Sequence, residues 1–249
     1  MGNLVQKPIS VFNSELASNW PDFVDCEKRL KSEGQFLLSF LSTYRPGIIF
    51  DAAMGMGCES VFLLRNGFNV ISNEIDSDLV TLAIDLSRQH SVQLTLRSYD
   101  WRSLTSSVPL ESFDAAILLG NSICLLPDLQ TIEAVLSHLY SILKKGGMLI
   151  IDERNFQYIL DEKDNILKGS FRYSGKYVYC GSTVTGRPLH ISNHSVRFGY
   201  FKGNGQLIGT LDMRPFRAGE LKNILAQSGF TRTKVFSDFT EQENVNADF

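Results

Sequence analysis

The sequence predicts an α/β fold: a mostly parallel, doubly wound sheet carrying an antiparallel β insertion. Three observations predict it. Short apolar strands and helix-period segments alternate from Ile48 to Asp152, the pattern of a parallel sheet covered on both faces. A glycine-rich turn, Gly55-x-Gly57, joins the first strand to the next helix. After Asn155 the texture changes to an aromatic-rich stretch punctuated by glycine, Phe171 to Leu211, which reads as antiparallel strands packed over one end of the sheet.

The elements follow in order. Phe23, Leu30, Phe36, Leu37, Phe40 and Leu41 recur at helical spacing, so Phe23–Leu41 is a helix, ended by Pro46-Gly47. Ile48–Ala52 is a short buried strand. Ser60–Arg65 is a helix stopped by Gly67. Asn69–Ser72, Val92–Arg97 and Phe113–Leu119 are strands, separated by the helix Asp78–His90. Helix Thr131–Leu143, the Lys144–Gly147 turn and strand Met148–Asp152 complete the alternation, with right-handed crossovers. Helix returns at Arg217–Ser228 and strand at Thr233–Phe239. These readings divide the chain into a helical cap at 1–45, a core at 46–155, an insertion at 156–213 and a closing helix and strand at 214–249.

Composition narrows the function. The 249 residues carry 24 Lys and Arg against 27 Asp and Glu, a formal charge of −3. A slightly acidic chain is a poor binder of nucleic acid, which needs clustered basic residues. No apolar run is long enough to span a bilayer, and Met1–Glu15 lacks the pattern of a signal peptide. Cys26, Cys58, Cys124 and Cys180 are scattered, with no C-x-x-C pair, so neither a zinc site nor a disulfide framework is expected. A reducing cytoplasm is the expected setting. A short polar N-terminal segment favours a monomer or dimer.

The chemistry gathers at three strand ends. Asp51-Ala52-Ala53-Met54-Gly55-Met56-Gly57 lies between strand and helix, where two glycines permit a tight turn and close approach of a ligand. A turn of this kind also occurs with no ligand. The third glycine of the dinucleotide pattern is replaced by Ser60, which argues against a pyrophosphate on the helix N-terminus. Glu74, ending the next strand, can accept from both ribose hydroxyls; alternatively it is a solvated strand end. Asp100 can accept from an adenine amino group and Trp101 can flank the ring, or Trp101 is an ordinary interfacial residue. Together the three describe an adenosine site at the carboxyl edge of a parallel sheet. The reacting group then sits by Leu119-Gly120-Asn121-Ser122.

These residues resemble the class I S-adenosylmethionine-dependent methyltransferases, whose Rossmann-like sheet carries such a site, and most of all the glycine and glycine/sarcosine N-methyltransferases. The resemblance runs from about Trp20 to Phe239. Its specific part is Phe113-Asp114-Ala115-Ala116-Ile117-Leu118-Leu119-Gly120-Asn121-Ser122 with Leu126-Pro127-Asp128, then Ile151-Asp152-Glu153-Arg154-Asn155-Phe156-Gln157-Tyr158-Ile159-Leu160. Lys31-Ser32-Glu33-Gly34-Gln35-Phe36 is similar to the bacterial enzymes.

The resemblance implies S-adenosyl-L-methionine as cofactor and methyl transfer to the amine of a small amino-acid-like substrate. Asp51, Ala53, Gly55 and Gly57 then line the methionine part of the cofactor. Glu74 holds the ribose, Asp100 and Trp101 the adenine, Leu119 lies beside the cofactor, and Arg29 reaches its carboxylate. Asn121 and Arg154 hold the substrate carboxylate, the planar guanidinium fork matching it in two bonds; the alternative for Arg154 is pairing with a nearby acid such as Glu153. Tyr179 and Tyr200 correspond to lid tyrosines. No metal is called for, and no histidine is placed as an obligatory base. Methylation of oxygen or carbon on a natural-product precursor, and a non-catalytic cofactor-binding protein, are the competing functions.

Departures from the pattern are Met54 and Met56 in the glycine turn and Met213-Arg214-Pro215 where the resemblance has Tyr-Tyr-Pro. The latter removes an aromatic group and introduces a charge, which fits a larger or doubly charged amine. The resemblance also implies a seven-stranded sheet, its last strand starting near Asn246 and cut short, or a truncated chain.

Overall fold

The computed structural model of the chain describes residues 12–170, 181–237 and 239–240. Strands β1 (Ile49–Asp51), β2 (Val70–Asn73), β3 (Thr95–Arg97), β4 (Phe113–Leu118) and β5 (Leu143–Ile151) lie in the order β3-β2-β1-β4-β5. Every neighbouring pair is parallel. The order reverses between β1 and β4, so a crevice opens beyond the carboxyl ends of these two strands.

Alternation along each strand sends side chains to opposite faces. Ile49, Ala115 and Ile117 join Leu37 and Leu41 of helix α3 (Cys26–Tyr44) and Leu63 of α4 (Cys58–Arg65) in one apolar cluster. Phe50, Ala116 and Leu118 face the other way and pack with Ile132, Leu136 and Leu139 of α6 (Leu129–Ile142). Helix α5 (Ser77–Gln89) carries the crossover from β2 to β3.

The helix expected over Phe23–Leu41 is broken between α2 (Trp20–Val24) and α3, and a further short helix, α1 (Ser14–Ser18), precedes them. The break is Asp25. Its backbone is left-handed (φ 51°), and its side chain accepts from Lys28 N at 3.2 Å, capping α3. The absence of disulfides inferred from cysteine spacing is corrected: Cys26, opening α3, and Cys58, opening α4, are joined, with Cα atoms 5.3 Å apart. Cys124 is free and buried, and Cys180 lies outside the described residues.

The insertion begins helically with α7 (Phe156–Asp161) and α8 (Lys163–Asn165). It then forms the antiparallel sheet β6 (Val184–Ile191), β7 (Val196–Lys202) and β8 (Leu207–Met213). Helix α9 (Glu220–Gln227) packs on α6.

The strand expected at Thr233–Phe239 is not formed: residues 231–237 are irregular. Val235 is exposed, while the Phe236 ring meets Phe40 and Phe36 of α3, centroids 5.0 and 5.5 Å away. Docking on α3 uses the apolar side chain that a strand would have placed in the sheet. Among the described residues the main sheet therefore has five strands, not seven. The further strand expected near Asn246 lies outside the described residues. No described helix is long and apolar enough to cross a membrane.

Candidate active site

β1 ends on Asp51, which is 2% exposed and accepts from Ser60 Oγ at 2.7 Å. The Ser60 hydroxyl also lies 2.7 Å from Ser72 Oγ, so the residue that replaces the third glycine ties β1 and β2 to the start of α4. Burial raises the Asp51 carboxyl to about 7 against the Ser60 hydrogen bond.

The two glycines of the turn differ. Gly57 (φ 90°) approaches α5 so closely that a Cβ would lie 3.0 Å from Ala83 Cβ; it is a packing glycine. Gly55 (φ 56°) faces open space, with nothing within 4 Å of a Cβ. Its N–H donates to Glu74 Oε2 at 2.8 Å, while Glu74 Oε1 accepts from Ile75 N and Asp76 N at 2.8 and 2.9 Å. Glu74 thus binds the glycine turn to the end of β2. A carboxylate offers about four acceptor positions, so one remains for a hydroxyl. Burial raises its pKa against these backbone donors.

The adenine-side residues are partly committed. Trp101 donates its indole N–H to Ala52 O at 2.7 Å, bringing the ring to the rim of the turn beside half-buried Ala53. Asp100 is forked by Arg102, whose bonds hold its carboxyl below the usual range. The Leu119 side chain is buried with Leu37 and Leu41, and its carbonyl accepts from Ser122 Oγ at 2.7 Å.

Arg29 projects from α3 to the end of β4, its Nη1 3.8 Å from where a Cβ on Gly120 would stand. It is 5% exposed and gripped by two acids: Glu33 at 2.6 and 3.1 Å, and Glu59 at 2.7 Å. Burial pushes the Glu59 carboxyl upward against the pull of Arg29.

On the other side of the same turn stands Asn121 (φ 65°). Its N–H donates to Asp152 Oδ1 at 2.8 Å, and its Oδ1 accepts from Arg154 N at 2.7 Å and from Cys124 Sγ at 3.4 Å. Arg154 is 3% exposed, its Cζ 4.3 Å from the centre of the Phe198 ring of β7. The alternative pairing with Glu153 is not formed. Burial raises Asp152 to about 6.

The structure therefore brings Arg29, Asp51, Gly55, Glu74, Asn121 and Arg154 to one carboxyl edge. Tyr200 is fully buried on β7, its ring 4.9 Å from Phe23 and 5.3 Å from Trp20, and packs the insertion onto α2. Tyr179 lies outside the described residues. Sequence reasoning missed Glu33, Glu59 and Asp152. Only Glu33 had a readable signal, its spacing of four from Arg29 on one helix face. A hollow of about 630 Å³ lined by Leu110, Tyr140, Lys144 and Phe230 is at the opposite, amino end of β4 and β5.

The residues fit a bound ligand by one structural test: Gly55 has nothing within 4 Å of where a Cβ would stand, so its backbone is open to close approach beside Glu74. Comparisons with known proteins agree. Residues 49–147 match a methyltransferase domain family. The chain is 31% identical over 246 residues to the glycine/sarcosine N-methyltransferase of Aphanothece halophytica, covering 95% of this chain and 89% of that one. It is 33% identical over 220 residues to the enzyme of the same name from Halorhodospira halochloris, covering 88% and 79%. An S-adenosylmethionine-dependent methyltransferase of Clostridium acetobutylicum superposes with a TM-score of 0.63 over 90% of this chain and 93% of that one, at 15% identity, and so shares the fold.

Proposed function

Because the chain belongs to the glycine/sarcosine N-methyltransferase family, we propose that this S-adenosylmethionine-dependent enzyme methylates the amine of a small amino acid held by its carboxylate at Arg154 and Asn121. One observation carries the assignment of residues. The Gly120–Asn121 turn has the buried Arg29 guanidinium beside Gly120 and takes the backbone N–H of the buried Arg154 on Asn121 Oδ1. That is the arrangement needed to orient a donor and an acceptor, each bearing a carboxylate, across one strand end.

When bound, S-adenosylmethionine supplies a methyl group activated on a sulfonium for in-line displacement. Gly55 would leave room for it, Glu74 would take a ribose hydroxyl, and Arg29 would exchange part of its pairing with Glu33 and Glu59 for the cofactor carboxylate. Asp51, by the support of Ser60, would fix the turn. Arg154, held over Phe198, would set the substrate carboxylate so that its amine faces the cofactor. The amine acts as its own nucleophile once unprotonated, so alignment and exclusion of water are the chain's main tasks. Closure over the substrate falls to the insertion.

The testing variant is Arg154→Ala. A lost charged hydrogen bond of about 1.5–3 kcal/mol predicts a KM for the amino acid raised ten- to a hundredfold, about 1.4–2.8 kcal/mol, with cofactor binding by calorimetry unchanged. An unaltered KM contradicts carboxylate anchoring. The cytoplasm and a monomer or dimer are the proposed setting and state. Light scattering on the purified chain checks the state.

A further inference from the structure

The segment after β8 carries a second arginine to the substrate side. Arg214 N donates to Cys124 O at 2.7 Å, which docks it on the Ser122–Leu125 turn that follows Asn121. Its guanidinium is only partly used. Nη2 bonds Glu220 Oε1 at 2.5 Å and Cζ lies 5.0 Å from the Phe216 ring centre, but Nη1 is buried with no hydrogen-bond partner. A buried guanidinium N–H left unpaired is unfavourable, so the fold keeps a donor there that a ligand can satisfy.

Arg214 shares its surroundings with Arg154. Around the Cys124 thiol, burial and then Glu153 and Asp152 push the pKa up, while Arg154 and Arg214 pull it back. Both cations therefore act on one buried atom, which itself touches Asn121 Oδ1 at 3.4 Å. Gln157 Oε1 accepts from Ala218 N at 3.2 Å and holds the Arg154 and Arg214 segments together. Glu153, next to Arg154, makes no hydrogen bond or ion pair with described residues. Two guanidinium groups thus stand near the Asn121 turn. A single-carboxylate amino acid uses one of the two cations.

We infer that Arg214 is a specificity-determining residue that binds a second acidic group, so that the preferred methyl acceptor is a small amino acid with two carboxylates rather than one. The inference rests on the Proposed function for the first carboxylate at Arg154 and adds only the second. An amino dicarboxylate such as aspartate or iminodiacetate has the required chemistry. Its second carboxylate completes the bonding of Arg214 Nη1.

The full chain is assayed with S-adenosylmethionine against glycine, sarcosine, aspartate and iminodiacetate. The expected result is a kcat/KM at least about tenfold higher for a dicarboxylate. Arg214→Met should raise the dicarboxylate KM by about tenfold or more and leave the glycine KM within about twofold. A purely structural Arg214, capping α9 through Glu220, would instead shift both substrates together, and that outcome overturns the inference. Succinate and acetate, tested as inhibitors of the unaltered chain, decide the case even where the variant does not fold: stronger inhibition by succinate supports the second site, and equal inhibition overturns it. Methylation of glycine alone, with Arg154→Ala still damaging, sinks this inference and leaves the Proposed function standing. Failure of every amine sinks the Proposed function itself.

Discussion

At the residue scale, the two glycines of the cofactor turn separate packing from binding. Gly57→Ala must place a Cβ against Ala83 in a left-handed backbone. Strain and overpacking together predict a loss of about 2–4 kcal/mol. Gly55→Ala meets only the backbone penalty, about 1–2 kcal/mol, because no atom stands within 4 Å. The Gly55 variant should keep most of its thermal stability and lose cofactor affinity; the Gly57 variant should lose stability first. Melting curves beside calorimetric titration distinguish them, and equal behaviour contradicts the division.

Asp51 gives a pH signature. Its folded pKa of about 7 is above the ordinary 3.8, and burial is the main cause. Between these values the folded chain holds a proton that the unfolded chain has released, so stability falls as pH rises. The contribution is complete below about pH 4 and gone above about pH 7. Asp152, raised to about 6, has the same sign. The unfolding midpoint of the ligand-free chain should drop between pH 5 and pH 8, less steeply in Asp51→Asn. A midpoint that climbs over this range would contradict the burial argument.

At the element scale, α3 and α4 are joined twice, by the Cys26–Cys58 disulfide and by Arg29 reaching Glu59. The bond closes a loop of sequence separation 32, for which chain entropy predicts about 3–4 kcal/mol. Reduction, or Cys26→Ser with Cys58→Ser, should lower the melting temperature by several degrees. Thiol titration of the denatured, unreduced chain should find Cys26 and Cys58 unreactive. Disulfides belong chiefly to oxidising compartments, so the same titration on protein quenched inside cells also tests the proposed cytoplasmic setting.

What was readable in the sequence follows from the range of the forces involved. β1 and β4 are continuous apolar runs bounded by Gly and Asp, and both strands form within a residue or two of expectation. Arg154 stood out because a cation just beyond a buried strand needs an anion. The Cys26–Cys58 bond could not be read, since it depends on where two helices separated by a strand come to rest. Tyr200 follows Phe198 and Val196 at period two, which marks an inward face, and its ring is buried. Thr233–Phe239 misled because β-prone residues form a strand only with a neighbour to pair with, and Phe236 found α3 instead.

At the scale of the whole molecule, the reversal of strand order between β1 and β4 places every polar contact of the site at one edge. Arg29 comes from the helical cap, Arg154 from the end of β5 and Arg214 from the end of the insertion. We propose that the division at 46–155, 156–213 and 214–249 is functional as well as structural: the core holds the cofactor and anchors the first substrate carboxylate, and the later segments complete the substrate side. Removing the insertion should abolish turnover while cofactor binding by the remaining chain, if it folds by circular dichroism, persists. Loss of binding in a folded deletion would contradict that split.

Transfer of a methyl group to an amine is the step that every residue role proposed above serves. The most direct measurement is mass spectrometry of small amino acids incubated with the purified chain and methyl-labelled S-adenosylmethionine. The expected result is label on the substrate nitrogen, with S-adenosylhomocysteine formed in equal amount and both reduced about ten- to a hundredfold in Arg154→Ala at limiting substrate. Label on oxygen or carbon, or bound cofactor with no labelled product across the amines, would contradict it.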